Sequence, residues 1–123
     1  MAPKERRRPR KLYKIGSEPD ARFSLANERT FLAWIRTSLA LVVSGVALVA
    51  LGENANLSFT DVTGLLLILL GAISSLGGYF DWFSSEKALR LGRNLPGQLL
   101  GVFIAFSLTL LFLGGIAYEF FLR

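Results

Sequence analysis

Three long apolar stretches dominate this 123-residue chain, and they constrain its fold more than any other feature. They run from Phe31 to Leu51, Val62 to Phe80 and Leu99 to Tyr118. The second and third contain no charged residue, and the first contains only Arg36, near its start. About 20 helical residues cross a hydrocarbon core of about 30 Å, so each stretch is long enough to span a bilayer. A lone apolar strand would leave its backbone amides unpaired in lipid, so helices are expected. The mean hydropathy of +0.46 places the chain with lipid rather than water.

The charges give the spans a direction. Lys4, Arg6, Arg7, Arg8, Arg10, Lys11, Lys14, Arg22 and Arg29 precede the first span, and Lys87, Arg90 and Arg93 follow the second. The loop between spans one and two carries Glu53 and Asp61 and no basic residue. Basic residues near span ends stay on the cytoplasmic side, which predicts a cytoplasmic N-terminus and, after three crossings, a C-terminus outside. No cleaved signal peptide is expected, because the first apolar run starts far from Met1 and has the length of a full span. With no cysteine and no histidine, disulfides, thiol nucleophiles and the common transition-metal sites are excluded. No cofactor, metal or nucleic-acid partner is expected. Nor is the chain expected to be an enzyme, since the spans offer no nucleophile–base pair.

The predicted architecture is an all-α membrane protein of three transmembrane helices. Residues 1–16, rich in Pro and Arg, predict a flexible basic arm. Residues 17–123 form the membrane domain, with spans over about 25–51, 62–84 and 98–120. Ser17-Glu18-Pro19-Asp20 is a helix-start pattern with Ser17 as a cap candidate, so a short amphipathic segment from about Asp20 is predicted to lead into the first span, with a bend near Asn27. Gly52 to Asn56 ends that span, and Leu95-Pro96-Gly97 starts the third.

At 100° per residue, Arg22, Arg29, Ala33, Arg36, Thr37, Ala40, Ser44 and Ala47 occupy about a third of the first helix's circumference. This is one stripe of small and cationic residues. Arg36 lies roughly 8 Å into the apolar run, at 1.5 Å per residue. One reading makes Arg36 a structural tie to Glu28 or Asp81. A second makes the stripe a cationic pocket or ring that meets an anion, and a third, a proton-coupled path, is disfavoured because no acidic residue lies in the middle of any span. On the second span Gly64, Gly71 and Gly78 recur every seven residues, and on the third Gly101, Ala105 and Thr109 recur every four. Small residues at such spacings mark close helix packing in lipid. Three small-residue faces exceed what a three-helix monomer can pair, so a homo-oligomer is expected.

The run Asn27-Glu28-Arg29-Thr30-Phe31-Leu32-Ala33-Trp34-Ile35-Arg36-Thr37 resembles the signature of the YidH-like family of small prokaryotic membrane proteins of unknown function. The resemblance covers roughly Phe23 to Arg123 and implies a plasma-membrane location. The same unit is similar to the membrane part of the eukaryotic vacuolar transporter chaperone, in which five copies surround a polyphosphate channel with a basic cytoplasmic mouth. Carried over by motif, the resemblance implies a pentamer in which Arg29 and Arg36 face an anion such as polyphosphate and Glu28 is their partner. Asp81 departs from relatives that carry basic residues there. The expected function is therefore a channel or translocation subunit with a cationic cytoplasmic vestibule. The alternative is a membrane scaffold that docks a partner protein or anionic lipid without transport.

Overall fold

A computed structural model of the chain describes residues 6–52 and 58–122 and is all-helical over them. Lys4, the turn residues Glu53 to Asn56 and Arg123 lie outside the described residues. A four-residue turn, α1 (Arg10–Tyr13), precedes three long helices: α2 (Ala21–Leu51), α3 (Phe59–Leu91) and α4 (Leu99–Ala117), the last closed by a π-helical turn over Tyr118–Leu122. All three are long and apolar enough to cross a membrane. The chain is thus a three-span membrane protein, as its hydropathy requires.

Each helix starts and stops for a local reason. Asp20, not Ser17, caps α2, its carboxylate accepting the Arg22 backbone N–H at 2.9 Å. The Ser17 N–H donates instead to the Arg90 carbonyl. From Ala21 the helix is continuous through Asn27, and its first turns carry the polar residues assigned to a separate lead-in segment. Ser58 and Asp61 form a reciprocal capping box at the start of α3. Gly92 ends α3 at φ 67°, a left-handed conformation that suits glycine, and the Arg93 N–H closes back on the Ala88 carbonyl. Pro96 and Gly97 remain in the linker, and α4 begins at Leu99.

Helix α3, with 33 residues, is about 50 Å long at 1.5 Å per residue. That exceeds a hydrocarbon core of about 30 Å, so two or more turns project beyond it. At that end α3 meets the polar first turns of α2, and the two run antiparallel along one seam. Along α2 the seam steps through Ser24, Asn27, Phe31, Trp34, Ser38, Leu41 and Gly45, alternating three and four residues. This is the spacing of a left-handed helix pair. The α3 heptad supplies the other side. A Cβ at Gly78 would lie 2.7 Å from Trp34 Cβ, and one at Gly71 would lie 2.6 Å from Val42 Cγ2. Gly45 and Gly64 meet backbone to backbone, where an added Cβ on either would run into the other's carbonyl oxygen. Ser38 Oγ donates to the Gly71 carbonyl at 2.7 Å.

Helix α4 lies against the outside of this pair. Ile104 joins Leu41 and Leu70 in a small core, Leu100 covers Gly77, and Gly101 faces the Trp34 ring. At the far end Tyr118 stacks on Phe59 with centroids 4.3 Å apart. Most of the remaining α4 surface, including Val102, Phe106, Phe112 and Ile116, is apolar and open, as a lipid-facing helix requires.

Candidate functional site

With α3 on one side of α2, the stripe of small and cationic residues falls on the other. Ala33, Arg36, Ala40, Ser44 and Ala47 are all exposed on the single chain, and Thr37 is half-buried at the stripe's margin. Arg22 at the head of the stripe folds back on Asp20, 3.1 Å away. The Arg22 guanidinium and its backbone N–H hold the Asp20 carboxyl below the usual carboxylate range. The Arg29 and Arg36 side chains have neither a hydrogen bond nor an ion pair among the described residues.

Glu28 is not beside them. One residue before Arg29 and about 100° round the helix, it lines a cleft with Phe31, Tyr79 and Trp82. Asp81 likewise lines a different cleft, with Asn27, Thr30 and Ser85. Among the described residues, then, neither Arg29 nor Arg36 forms an ion pair with the carboxylates expected to tie them. Gly64, Gly71 and Gly78 are buried against α2 and take no part in the exposed stripe.

A second polar constellation, which the sequence reading did not assign, sits where α2 and α3 project beyond the spans. Glu86 is buried and accepts from Ser24 Oγ at 2.8 Å and from Asn27 Nδ2 at 3.3 Å; the same Asn27 amide donates to the Trp82 carbonyl. One turn further, the Arg90 side chain is only 4% exposed. Its guanidinium donates to the backbone carbonyls of Tyr13 at 2.7 Å and Ile15 at 2.9 Å, and to the Glu18 carboxylate at 3.0 Å. Arg7 forks onto the same carboxylate with two bonds of 2.8 Å and covers the Tyr13 ring.

Two guanidiniums on one carboxylate, Arg7 first and Arg90 next, hold Glu18 down to about 2. Burial, and then the nearby Glu86, raises the Tyr13 phenol. Leu12 is fully buried, and Gly16 adopts φ 59° with its Cα against the Arg90 carbonyl, a backbone conformation and an approach that favour glycine. Residues 7–16, expected as part of an arm with almost nothing to bury, are thus strapped to the end of α3 together with Ser17 and Glu18. The only sequence sign was the line Gly78, Trp82, Glu86, Arg90 at four-residue intervals, which continues the glycine face into charged residues.

Residues 22–88, which contain the seam, the stripe and Glu86, match the family described as Domain of unknown function (DUF202). The chain is similar to the inner membrane protein YidH of Escherichia coli strain K12, with 46% identity over 87 residues that cover 70% of this chain and 76% of that protein. It is also similar to the uncharacterized protein Rv2272 of Mycobacterium tuberculosis strain H37Rv, at 45% identity over 80 residues and 64% of each chain. No solved structure matches it.

Proposed function

The chain belongs to the DUF202 family, and from that premise we propose that it is a homo-oligomeric inner-membrane protein whose copies meet along the α2 stripe and present Arg29 and Arg36 to anions. The observation that carries this reading is the division of α2 into two faces. One face is filled by the α3 glycines, while the other sets among small side chains two guanidiniums that have no partner among the described residues. A guanidinium at the bilayer centre costs about 2.5–3.5 kcal/mol on insertion scales. Facing a neighbouring copy or a wet path relieves that cost, and Ala33, Ala40, Ser44 and Ala47 permit the neighbour's close approach.

Repeated round an axis, Arg36 forms a positive ring in a poorly solvated constriction, where salt screens it less than on an open surface. The excess of Lys and Arg before the first span and after the second supports a vestibule on the cytoplasmic side, with the N-terminus inside and the C-terminus outside. Five copies and a phosphate-rich anion such as polyphosphate are proposed solely from the sequence's resemblance to the membrane part of the vacuolar transporter chaperone. Passage or binding is proposed, without chemistry.

Reconstituted protein is expected to pass anions in preference to cations. Arg36→Ala should reduce the flux and Arg36→Glu should abolish or invert the selectivity. Arg36→Lys should largely preserve flux, since it keeps the charge while losing the planar fork. Ala40→Cys should cross-link copies in the membrane. An oligomer that cross-links through Ala40→Cys yet passes no ion under either polarity would leave the scaffold reading instead. A protein that also stays monomeric in mild detergents and nanodiscs would refute both.

A further inference from the structure

Glu28, separated by the fold from the arginines it was expected to partner, stands in a cleft of about 370 Å³ between α2, α3 and the strap. Three aromatic rings wall this cleft: the Trp82 centroid is 6.2 Å from that of Phe31 and 5.9 Å from that of Tyr79. Arg8, from the strap, lines the same cleft. Opposite charges sharing one cleft would be expected to close on each other. Here Arg8 and Glu28 form no ion pair, and neither has another such partner among the described residues. The cleft therefore offers an anion acceptor, a cation donor and aromatic faces at once.

We propose that this cleft binds the zwitterionic phosphoethanolamine headgroup of a membrane lipid, with the ammonium against Trp82 and Glu28 and the phosphate on Arg8. This site lies on a different face of α2 from the arginine stripe and does not depend on transport. Three features select the ligand. Trp is the best aromatic partner for a cation, so the Trp82 face suits a positive group. Glu28 accepts hydrogen bonds, which a primary ammonium donates and a quaternary choline does not, so ethanolamine is favoured over choline. Arg8 supplies the fork that phosphate oxygens match. Tyr79 and Trp82 near the end of a span mark headgroup depth, which places a lipid rather than a soluble zwitterion at the cleft.

The test uses the full-length protein, delipidated in mild detergent and titrated with short-chain phosphatidylethanolamine, phosphatidylcholine and phosphatidylglycerol, with binding read by native mass spectrometry. Phosphatidylethanolamine is expected to bind about tenfold more tightly than phosphatidylglycerol, the scale of one charge-assisted hydrogen bond. Phosphatidylcholine should fall between them. Glu28→Gln should remove this preference, whereas Arg8→Ala should weaken all three lipids alike. Because the Glu28 side chain is exposed and makes no hydrogen bond among the described residues, the Gln variant should keep the wild-type helix content; were it to misfold, the wild-type order of the three lipids carries the test. Equal binding of phosphatidylglycerol and phosphatidylethanolamine overturns the proposal, as does a preference that survives Glu28→Gln. Competition by soluble phosphoethanolamine at the same concentration as the lipid would overturn the lipid assignment and give the cleft to a free zwitterion.

Discussion

Gly45→Ala is the sharpest probe of the α2–α3 seam, because the new methyl has nowhere to go. Its Cβ would land on the Gly64 carbonyl oxygen and 2.7 Å from Ile68 Cγ1. The first obstacle is backbone, which cannot rotate aside, so the helices must separate. Overpacking of this kind costs about 1–3 kcal/mol. Against it stands the gain of replacing a helical glycine with alanine, about 0.5–1 kcal/mol. That gain is common to any helical glycine, and Gly114, whose added Cβ would meet nothing within 4 Å, isolates it. Gly114→Ala should therefore be neutral or stabilising, and Gly45→Ala should lie about 1–3 kcal/mol below it. The chain has no cysteine, so Phe23→Cys and Lys87→Cys provide a dye pair on α2 and α3 whose energy transfer reports their separation. Unfolding in mixed micelles would be followed by that signal for both alanine variants. Equal midpoints for Gly45→Ala and Gly114→Ala would refute backbone contact at this crossing.

Ser38→Ala, in the same assay, removes the buried bond to the Gly71 carbonyl and should cost about 0.6 kcal/mol, and at most about 1.7, the range for hydrogen bonds between membrane helices. Arg90→Ala deletes three bonds to the strap, each of the charged class worth about 1.5–3 kcal/mol, so trypsin should cut at Lys11 and Lys14 at least about tenfold faster while the α2–α3 dye distance holds. The strap should also respond to acid. Arg7 and then Arg90 depress Glu18 from 4.5 to about 2, so its contribution is fully present above about pH 4.5 and is lost as pH falls toward 2. The Glu18 side chain is 58% exposed, so solvent screens the pair and the loss should be local. Hydrogen exchange of residues 13–18 should rise across that window while the α2–α3 seam stays protected, and protection of the strap that is flat from pH 7 to 2 would remove Glu18 from its role.

The number of helices and their order were legible in the chain, because a bilayer leaves one solution for apolar runs of about 20 residues. The glycine heptad Gly64, Gly71, Gly78 was legible as a packing face for the same reason: without a hydrophobic drive between helices in lipid, only small residues bring backbones close. The face that receives those glycines was not. Helix α2 carries two faces with small residues, one through Ser38 and Gly45 and one through Ala33, Ala40, Ser44 and Ala47, and composition does not rank them. The tertiary structure chose the first, because Trp34 seats on Gly78, Gly45 meets Gly64 backbone to backbone and Ser38 finds a carbonyl at Gly71. That choice left the arginine stripe open and moved Glu28 to the aromatic cleft. The strap lay further out of reach, since Arg90 meets Tyr13 and Ile15 across 77 and 75 residues of chain. Local pattern encodes what each helix can bury, whereas contacts between residues so distant in sequence depend on where the antiparallel pair brings its ends, and only the folded molecule decides that.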